Sequence, residues 1–294
     1  MSGDALGIAL VTEVFPDDRD GILLRGHLTE AREHGAQLVV LPEIPLNAWA
    51  PATKVPRDED AEAPGGPRQR RMAEAAAAVG ITLVGGAILR DPRTGTRHNT
   101  ALVYGPDGGL VASYRKVHLP EEEGYWETSH YEPGTDTPQV VDAGLPFSLG
   151  LQICSDVNRP SFIQLLAHQG ADIITAPRAT PPESYERWKL VLRANAVTAG
   201  AFVISTNRPR PEGGAAIGGP SIAIAPDGTV LAESTDPVCV VTLERAALEA
   251  ARADYPGYLK RFPDLYAKGW GDQAPDSTAL SQGSTQPGST TNRG

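Results

Sequence analysis

Short β-branched runs and longer Ala-, Leu- and Arg-rich stretches take turns along this 294-residue chain, and that alternation leaves few architectures open. Apolar runs at 7–14, 37–41, 81–89, 100–104 and 110–114 read as strands in the first half. Those at 139–141, 147–153, 171–175, 201–205, 222–225, 229–233 and 238–243 do so in the second. Helical spacing falls between them at 21–34, with Ile22, Leu24 and Leu28 toward the core, and at 68–79, 161–168 and 185–199. The turns Pro106-Asp107-Gly108-Gly109 and Pro226-Asp227-Gly228 make hairpins of the strands on either side. Strands interleaved with helices call for a layered α/β body. No linker splits the chain before residue 270, so a single domain is expected over residues 1–272. Residues 273–294 hold eight Ser or Thr and almost no apolar side chain, and are expected to be a disordered polar tail.

Charge and motif content remove several function classes. Lys and Arg number 26 against 36 Asp and Glu, a formal charge of −10, and no basic block tracks a phosphate backbone, so no nucleic-acid partner is expected. The longest uncharged apolar-rich stretch, 75–89, is shorter than the roughly 20 residues of a membrane helix and contains Gly80, Gly85 and Gly86. No membrane partner is expected either. The first residues lack the basic start and cleavage site of a secretory signal, which gives a cytoplasmic expectation. GxxxxGK(S/T), a post-strand GxGxxG and GxSxG are absent, and the six histidines show no HExxH spacing. Neither a cofactor nor a metal is therefore expected. Two cysteines cannot build a disulfide framework. Cys239, in PVCVVTL, reads as a small buried hydrophobe in a strand.

Three polar residues each close an apolar run: Glu43 in LVVLPE, Lys116 in VASYRK and Cys154 in LGLQIC. Strand ends of α/β sheets converge on shared edges, where ligand crevices form. A thiol is mostly protonated at neutral pH and becomes an effective nucleophile when a base takes its proton or a cation lowers its pKa. A carboxylate can be that base, and a fixed ammonium can stabilise charge developing on a substrate oxygen. Taken singly, the three are better explained as a core cysteine, a loop carboxylate and a solvated hairpin lysine.

The flanking residues change that balance. LPE at 41–43, NTALVYGPDGGLVASYRKVHLP at 99–120, ETSHYEPG at 127–134, GLQICSD at 150–156 and GPSIAIAPDGTVLAE at 219–233 occur in this order. On these stretches, residues 6–270 resemble the nitrilase, or carbon–nitrogen hydrolase, superfamily in its amidase and N-carbamoyl-amide hydrolase branch. The resemblance implies Glu43 as general base, Lys116 as oxyanion-stabilising cation and Cys154 as nucleophile. It implies Glu127, six residues ahead of Pro133-Gly134, as the constellation's second glutamate. It also implies an αββα sandwich whose protomers pair into an αββααββα homodimer or higher oligomer.

The implied activity is cysteine-dependent hydrolysis of a non-peptide C–N bond in a small linear carboxamide or N-carbamoyl compound. A thioester forms, ammonia or an amine leaves, and no cofactor takes part. The Ser155 backbone N–H is a candidate oxyanion donor, and Asn47, Trp126 and Arg178 are candidate substrate contacts, with Trp49, Tyr125 and Tyr131 as further apolar walls. After the cysteine many members read Cys-x-Asp-x-Arg-Phe-Pro-Glu, whereas this chain reads Cys154-Ser155-Asp156-Val157-Asn158-Arg159-Pro160-Ser161. The missing arginine weakens the case for an N-carbamoyl amino acid unless Arg159 or Arg178 substitutes. Cys154-Ser155-Asp156 also differs from the Cys-Trp-Glu common in true nitrilases. Conversion of a nitrile to acid and ammonia is the enzymatic alternative, and a catalytically silent binding module is the non-enzymatic one. The glycine-rich stretch 212–219 is a candidate lid.

Overall fold

Interleaved strands and helices sort into two sheets in the computed structural model, which describes residues 4–272. The first is built from β1 (Ala5–Val11), β2 (Leu38–Val40), β3 (Thr82–Arg90), β4 (Arg97–Tyr104) and β5 (Leu110–Arg115). Helices α1 (Ile22–Glu33) and α2 (Pro67–Val79) make the crossovers that leave β1, β2 and β3 parallel. β4 and β5 fold back antiparallel. A two-stranded ribbon, β6 (Glu121–Glu122) and β7 (Tyr125–Trp126), follows.

The second sheet repeats the plan with β8 (Val140–Val141), β9 (Leu149–Leu151), β10 (Ile173–Thr175), β11 (Phe202–Ser205), β12 (Ser221–Ile224) and β13 (Val230–Ser234). Helices α3 (Pro160–His168) and α4 (Tyr185–Ala199) keep β9, β10 and β11 parallel. β14 (Val238–Glu244) then returns to pair antiparallel with β1. The strand orders are β14-β1-β2-β3-β4-β5 and β13-β12-β11-β10-β9-β8. After α5 (Arg245–Ala253) the compact unit ends at Tyr258; a second unit begins at Leu259 and contains α6 (Pro263–Asp272).

Side-chain alternation shows how the layers stack. Leu6, Ile8 and Leu10 of β1 join Leu38, Val40, Leu149, Leu151, Ile173, Phe202 and Ile204 in a core between the two sheets. Ala9 and Val11, on the opposite face of β1, pack with Leu24 and Leu28 of α1 and Met72 and Ala75 of α2. Ile174 and Val203 meet Ile163, Leu166, Leu192 and Ala196 of α3 and α4 in the same way. The result is the αββα sandwich that the resemblance implies.

Several details depart from the sequence reading. Ile22 is 58% exposed, because Leu24 and Leu28, four residues apart, define the inward stripe of α1 and a residue two before Leu24 lies across the helix from it. Cys239 is half-buried rather than buried. The β6–β7 ribbon and helices α5 and α6 carry no pattern that the sequence reading picked up. The stretch 273–294, read from composition as a disordered tail, lies outside the described residues. No helix among the described residues is long and apolar enough to cross a membrane.

Candidate active site

Glu43, Lys116 and Cys154 all follow sheet strands, and docking of the two sheets brings those ends together. Glu43 and Lys116 come from the first sheet, after β2 and β5, and Cys154 comes from the second, after β9. Lys116 is fixed by its own N–H to the Asn99 carbonyl at 2.9 Å and by its carbonyl accepting the Gly134 N–H at 2.8 Å. A Cβ at Gly134 would stand 2.5 Å from the Arg115 carbonyl oxygen, which is why this close approach needs glycine. Cys154 opens a short 3-10 turn, Cys154–Asn158, with its N–H on the Pro177 carbonyl at 2.8 Å. Among the described residues only Ile44 (φ 41°) and Cys154 (φ 44°) are non-glycines at positive φ. Backbone strain of this kind concentrates where a fold over-determines a functional group.

The side chains form one buried cluster. Lys116 Nζ donates to Glu43 Oε1 at 2.8 Å and to both Glu127 oxygens at 2.6 and 2.8 Å, and none of the three residues is more than 2% exposed. Asn99 Nδ2 also donates to Glu43 Oε1, at 2.8 Å. Glu43 Oε2 is buried and has no hydrogen-bond partner among the described residues. Burial works against the Lys116 charge, but the Glu127 and Glu43 carboxylates more than offset it and hold its pKa well above the usual lysine range. Burial pushes the Glu127 carboxyl up to about 8, with Lys116 pulling it down and Glu43 adding to the rise. Burial, then the charge of Glu43, pushes the Cys154 thiol well above its ordinary value despite Lys116. The resting thiol is therefore protonated and needs a base to become a nucleophile. The unpartnered Glu43 oxygen is available for that.

Asp156, retained in the cysteine motif but not picked out from sequence as a site residue, ties the two sheet ends together. Its Oδ1 accepts the N–H groups of Val117 at 3.3 Å and His118 at 3.0 Å and the His118 Nδ1 proton at 2.8 Å. Its Oδ2 accepts the Tyr114 hydroxyl at 2.9 Å and the Ile153 N–H at 3.2 Å. One buried carboxylate thus spans the residues flanking Lys116 and the residue before Cys154.

A cavity of about 310 Å³ opens above Cys154 and Glu127. Pro120, Glu122 and Tyr125 line one part of it; Ala179, Thr180, Pro181, Ser184, Arg187 and Trp188 line another; Ser155 and Asn158 complete the wall. Of the contacts expected from sequence, Ser155 and Tyr125 reach this cavity. Asn47 does not: it is buried, with its amide donating to the Asp60 carbonyl at 2.9 Å. Trp126 lies outside as well, under the Lys54 ammonium at 4.0 Å. Trp49 and Tyr131 belong to a core cluster with Ile44, Ile217 and the cavity-lining Ala179, and do not line the cavity themselves. Arg178 is sealed from solvent, and its donors are engaged by Thr180 Oγ1 at 3.1 Å, by Ser205 at 2.9 Å and by the Pro220 carbonyl. It supports the wall at Ala179–Pro181 from behind and presents no group to the cavity. Arg159 is exposed and does not line it. The cavity's cation is instead Arg187, on α4, within the 179–188 stretch that resembles N-carbamoyl-amine hydrolases but not itself a contact expected from sequence. Among the described residues, no group of three or more His, Cys, Asp or Glu side chains is placed to hold a metal ion.

Residues 21–253 match the carbon-nitrogen hydrolase family. The human omega-amidase NIT2 is 31% identical over 253 residues, covering 82% of this chain and 88% of that protein. The crystal structure of an amidase from Nesterenkonia sp. superposes with a TM-score of 0.75 at 27% identity, covering 92% of this chain and 98% of that one. Nit3 of Saccharomyces cerevisiae, a member of branch 10 of the nitrilase superfamily, gives 0.77 at 25% identity over 88% and 97%. Variants of the Nesterenkonia amidase have been crystallised with butyramide, with acrylamide, and with the acetamide moiety of fluoroacetamide added covalently at the active-site cysteine. With its αββα layers and its family match over residues 21–253, the chain belongs to the carbon-nitrogen hydrolase family, in the amidase branch of the nitrilase superfamily.

Proposed function

We propose that the protein hydrolyses a small linear carboxamide by covalent catalysis at Cys154. The observation that carries this reading is the buried Glu43–Lys116–Glu127 cluster beside a protonated thiol, with one Glu43 oxygen left unpartnered. Glu43 Oε2 takes the Cys154 proton as Sγ attacks the amide carbon. Negative charge moves onto the amide oxygen, where Lys116 and the Ser155 backbone N–H stabilise it. The C–N bond breaks, Glu43 returns its proton to the departing nitrogen, and ammonia or an amine leaves a thioester. Water that gives its proton to the same carboxylate then releases the acid and restores the thiol. Glu127 keeps the Lys116 ammonium aimed at this point.

A cavity of about 310 Å³ suits a substrate of few heavy atoms, in keeping with the butyramide and acrylamide held by the Nesterenkonia amidase. Arg187, the one cation among the lining residues, favours within this class an amide or N-carbamoyl compound bearing a carboxylate at its far end. We further propose that protomers pair through the outer helices. Leu192 and Ala196 of α4 face the sheet, whereas Leu190 is 69% exposed on the other side.

Ammonia release from matched neutral amides, carboxylate-bearing amides, ureido compounds and nitriles tests the reading. The expected result is turnover of amides that Cys154→Ala abolishes. Undiminished turnover in Cys154→Ala, or turnover of nitriles with the matched amides inert, overturns it. Arg187→Ala is expected to raise KM for the carboxylate-bearing amide and leave it unchanged for the neutral one.

A further inference from the structure

Ile44 follows Glu43 at φ 41°, a conformation that a β-branched side chain resists, so the turn carrying Glu43 needs support from outside itself. One fully buried guanidinium supplies it. Arg208, beyond the end of β11, donates through Nη1 to the carbonyl oxygens of Glu43 at 2.8 Å and Ile44 at 3.0 Å. Through Nη2 it donates to the Asn47 carbonyl at 2.9 Å. Its remaining donors meet one carboxylate, Nε to Glu212 Oε1 at 2.9 Å and Nη2 to Glu212 Oε2 at 2.7 Å. Glu212 Oε2 also accepts the Trp49 N–H at 3.0 Å, and the guanidinium lies 5.6 Å from the Trp49 ring. From the same segment, the Thr206 hydroxyl donates to the Leu41 carbonyl at 2.7 Å. Carbonyls of residues 41, 43, 44 and 47 therefore all look to the segment after β11, in the other sheet.

Neither Arg208 nor Glu212 lines the cavity above Cys154, so neither touches a substrate there. A planar fork that satisfies two carbonyls with one nitrogen and a carboxylate with the other face is a geometry that lysine cannot reproduce. Removing the carboxylate would leave a sealed charge without its partner, which penalises the very arrangement that holds the turn.

We propose that Arg208 and Glu212 are positioning residues for the Glu43 carboxylate, holding its backbone so that the carboxylate stands against Lys116 and Cys154. On this account the glycine-rich stretch that Glu212 opens anchors the base. The inference rests on Glu43 acting as the general base.

The test measures kcat and KM, and the pH dependence of kcat, for Arg208→Lys, Glu212→Ala, Glu212→Asp and the control Glu43→Gln, each per mole of folded protein by circular dichroism. A displaced base lowers kcat about ten- to hundredfold with KM within twofold, since an error of about 1 Å in a catalytic group costs this much. It also displaces the acid limb of the kcat profile, and Glu212→Asp recovers part of the loss. Full turnover in Glu43→Gln removes the general-base reading itself. An inactive Glu43→Gln beside Arg208→Lys and Glu212→Ala that keep kcat within twofold overturns the positioning role alone. Should Glu212→Ala fail to fold, Arg208→Lys and Glu212→Asp are judged by the same twofold line.

Discussion

Replacing Asp156 by asparagine probes the joint between the two sheet ends most directly. The native carboxylate is fully buried and accepts five hydrogen bonds, three on Oδ1 and two on Oδ2. An amide offers a single acceptor oxygen. It keeps that oxygen toward Val117 and His118, where three donors converge, and turns its NH₂ toward Tyr114 and Ile153. The Tyr114 hydroxyl can reverse and accept; the Ile153 N–H cannot. One unpaired buried N–H costs about 1–3 kcal/mol, and the surviving bonds, no longer charge-assisted, lose about 1–2 kcal/mol more between them. At about 2–4 °C per kcal/mol for a chain of this size, a total of about 2–5 kcal/mol means that Asp156→Asn should melt about 4–20 °C below the parent. Because Ile153 precedes Cys154, kcat should fall by at least about tenfold. Thermal melts followed by circular dichroism, run beside amide turnover, read both. Melting within about 2 °C of the parent at unchanged kcat would refute the view that this carboxylate joins the two halves of the site.

The remaining predictions address titration, pocket identity and assembly. Glu127 keeps its proton up to about pH 8 when folded and releases it near 4.5 when unfolded, so between those values the unfolded chain binds fewer protons and stability falls as pH rises. Urea midpoints across this window should therefore fall less steeply in Glu127→Gln than in the parent, and equal slopes count against the burial of that carboxyl as the cause. Trp126→Leu, which alters a ring covered by Lys54 outside the cavity, should leave KM for small amides within about twofold; a tenfold rise would place Trp126 at the substrate after all. Sedimentation should find a dimer that Leu190→Lys shifts toward monomer, and a monomeric parent would end the pairing proposal.

What the sequence made legible follows from the range of each interaction. Glu43, Lys116 and Cys154 could be read because each ends an apolar run, and a strand's end is a local property. The inward stripe of α1 was legible at Leu24 and Leu28 but overextended to Ile22, since composition alone does not define which side of a helix meets the sheet. Arg178 is a candidate substrate cation from sequence only as a substitute for the arginine missing after Cys154. Its actual acceptors, at Ser205 and Pro220, are 27 and 42 residues away, and no spacing rule reaches so far. Arg208 left even less trace, with partners at Glu43 and Ile44 that lie 165 and 164 positions earlier. Two-residue strands such as β6 and β7 are too short to show period-two alternation, so their ribbon reads as loop.

The division of the site between the sheets also has a meaning for how the enzyme comes into being. Cys154 and Glu43, the proposed nucleophile and base, are borne by different halves of the sandwich, each with its own hydrogen-bonded sheet. A half-assembled chain, or one whose inter-sheet core has loosened, would retain its helices and strands yet hold a thiol with no carboxylate to deprotonate it. On the proposed mechanism the pairing of Cys154 with Glu43 depends on the docking of the two sheets, so loosening of the inter-sheet core is expected to end turnover while much of the secondary structure remains.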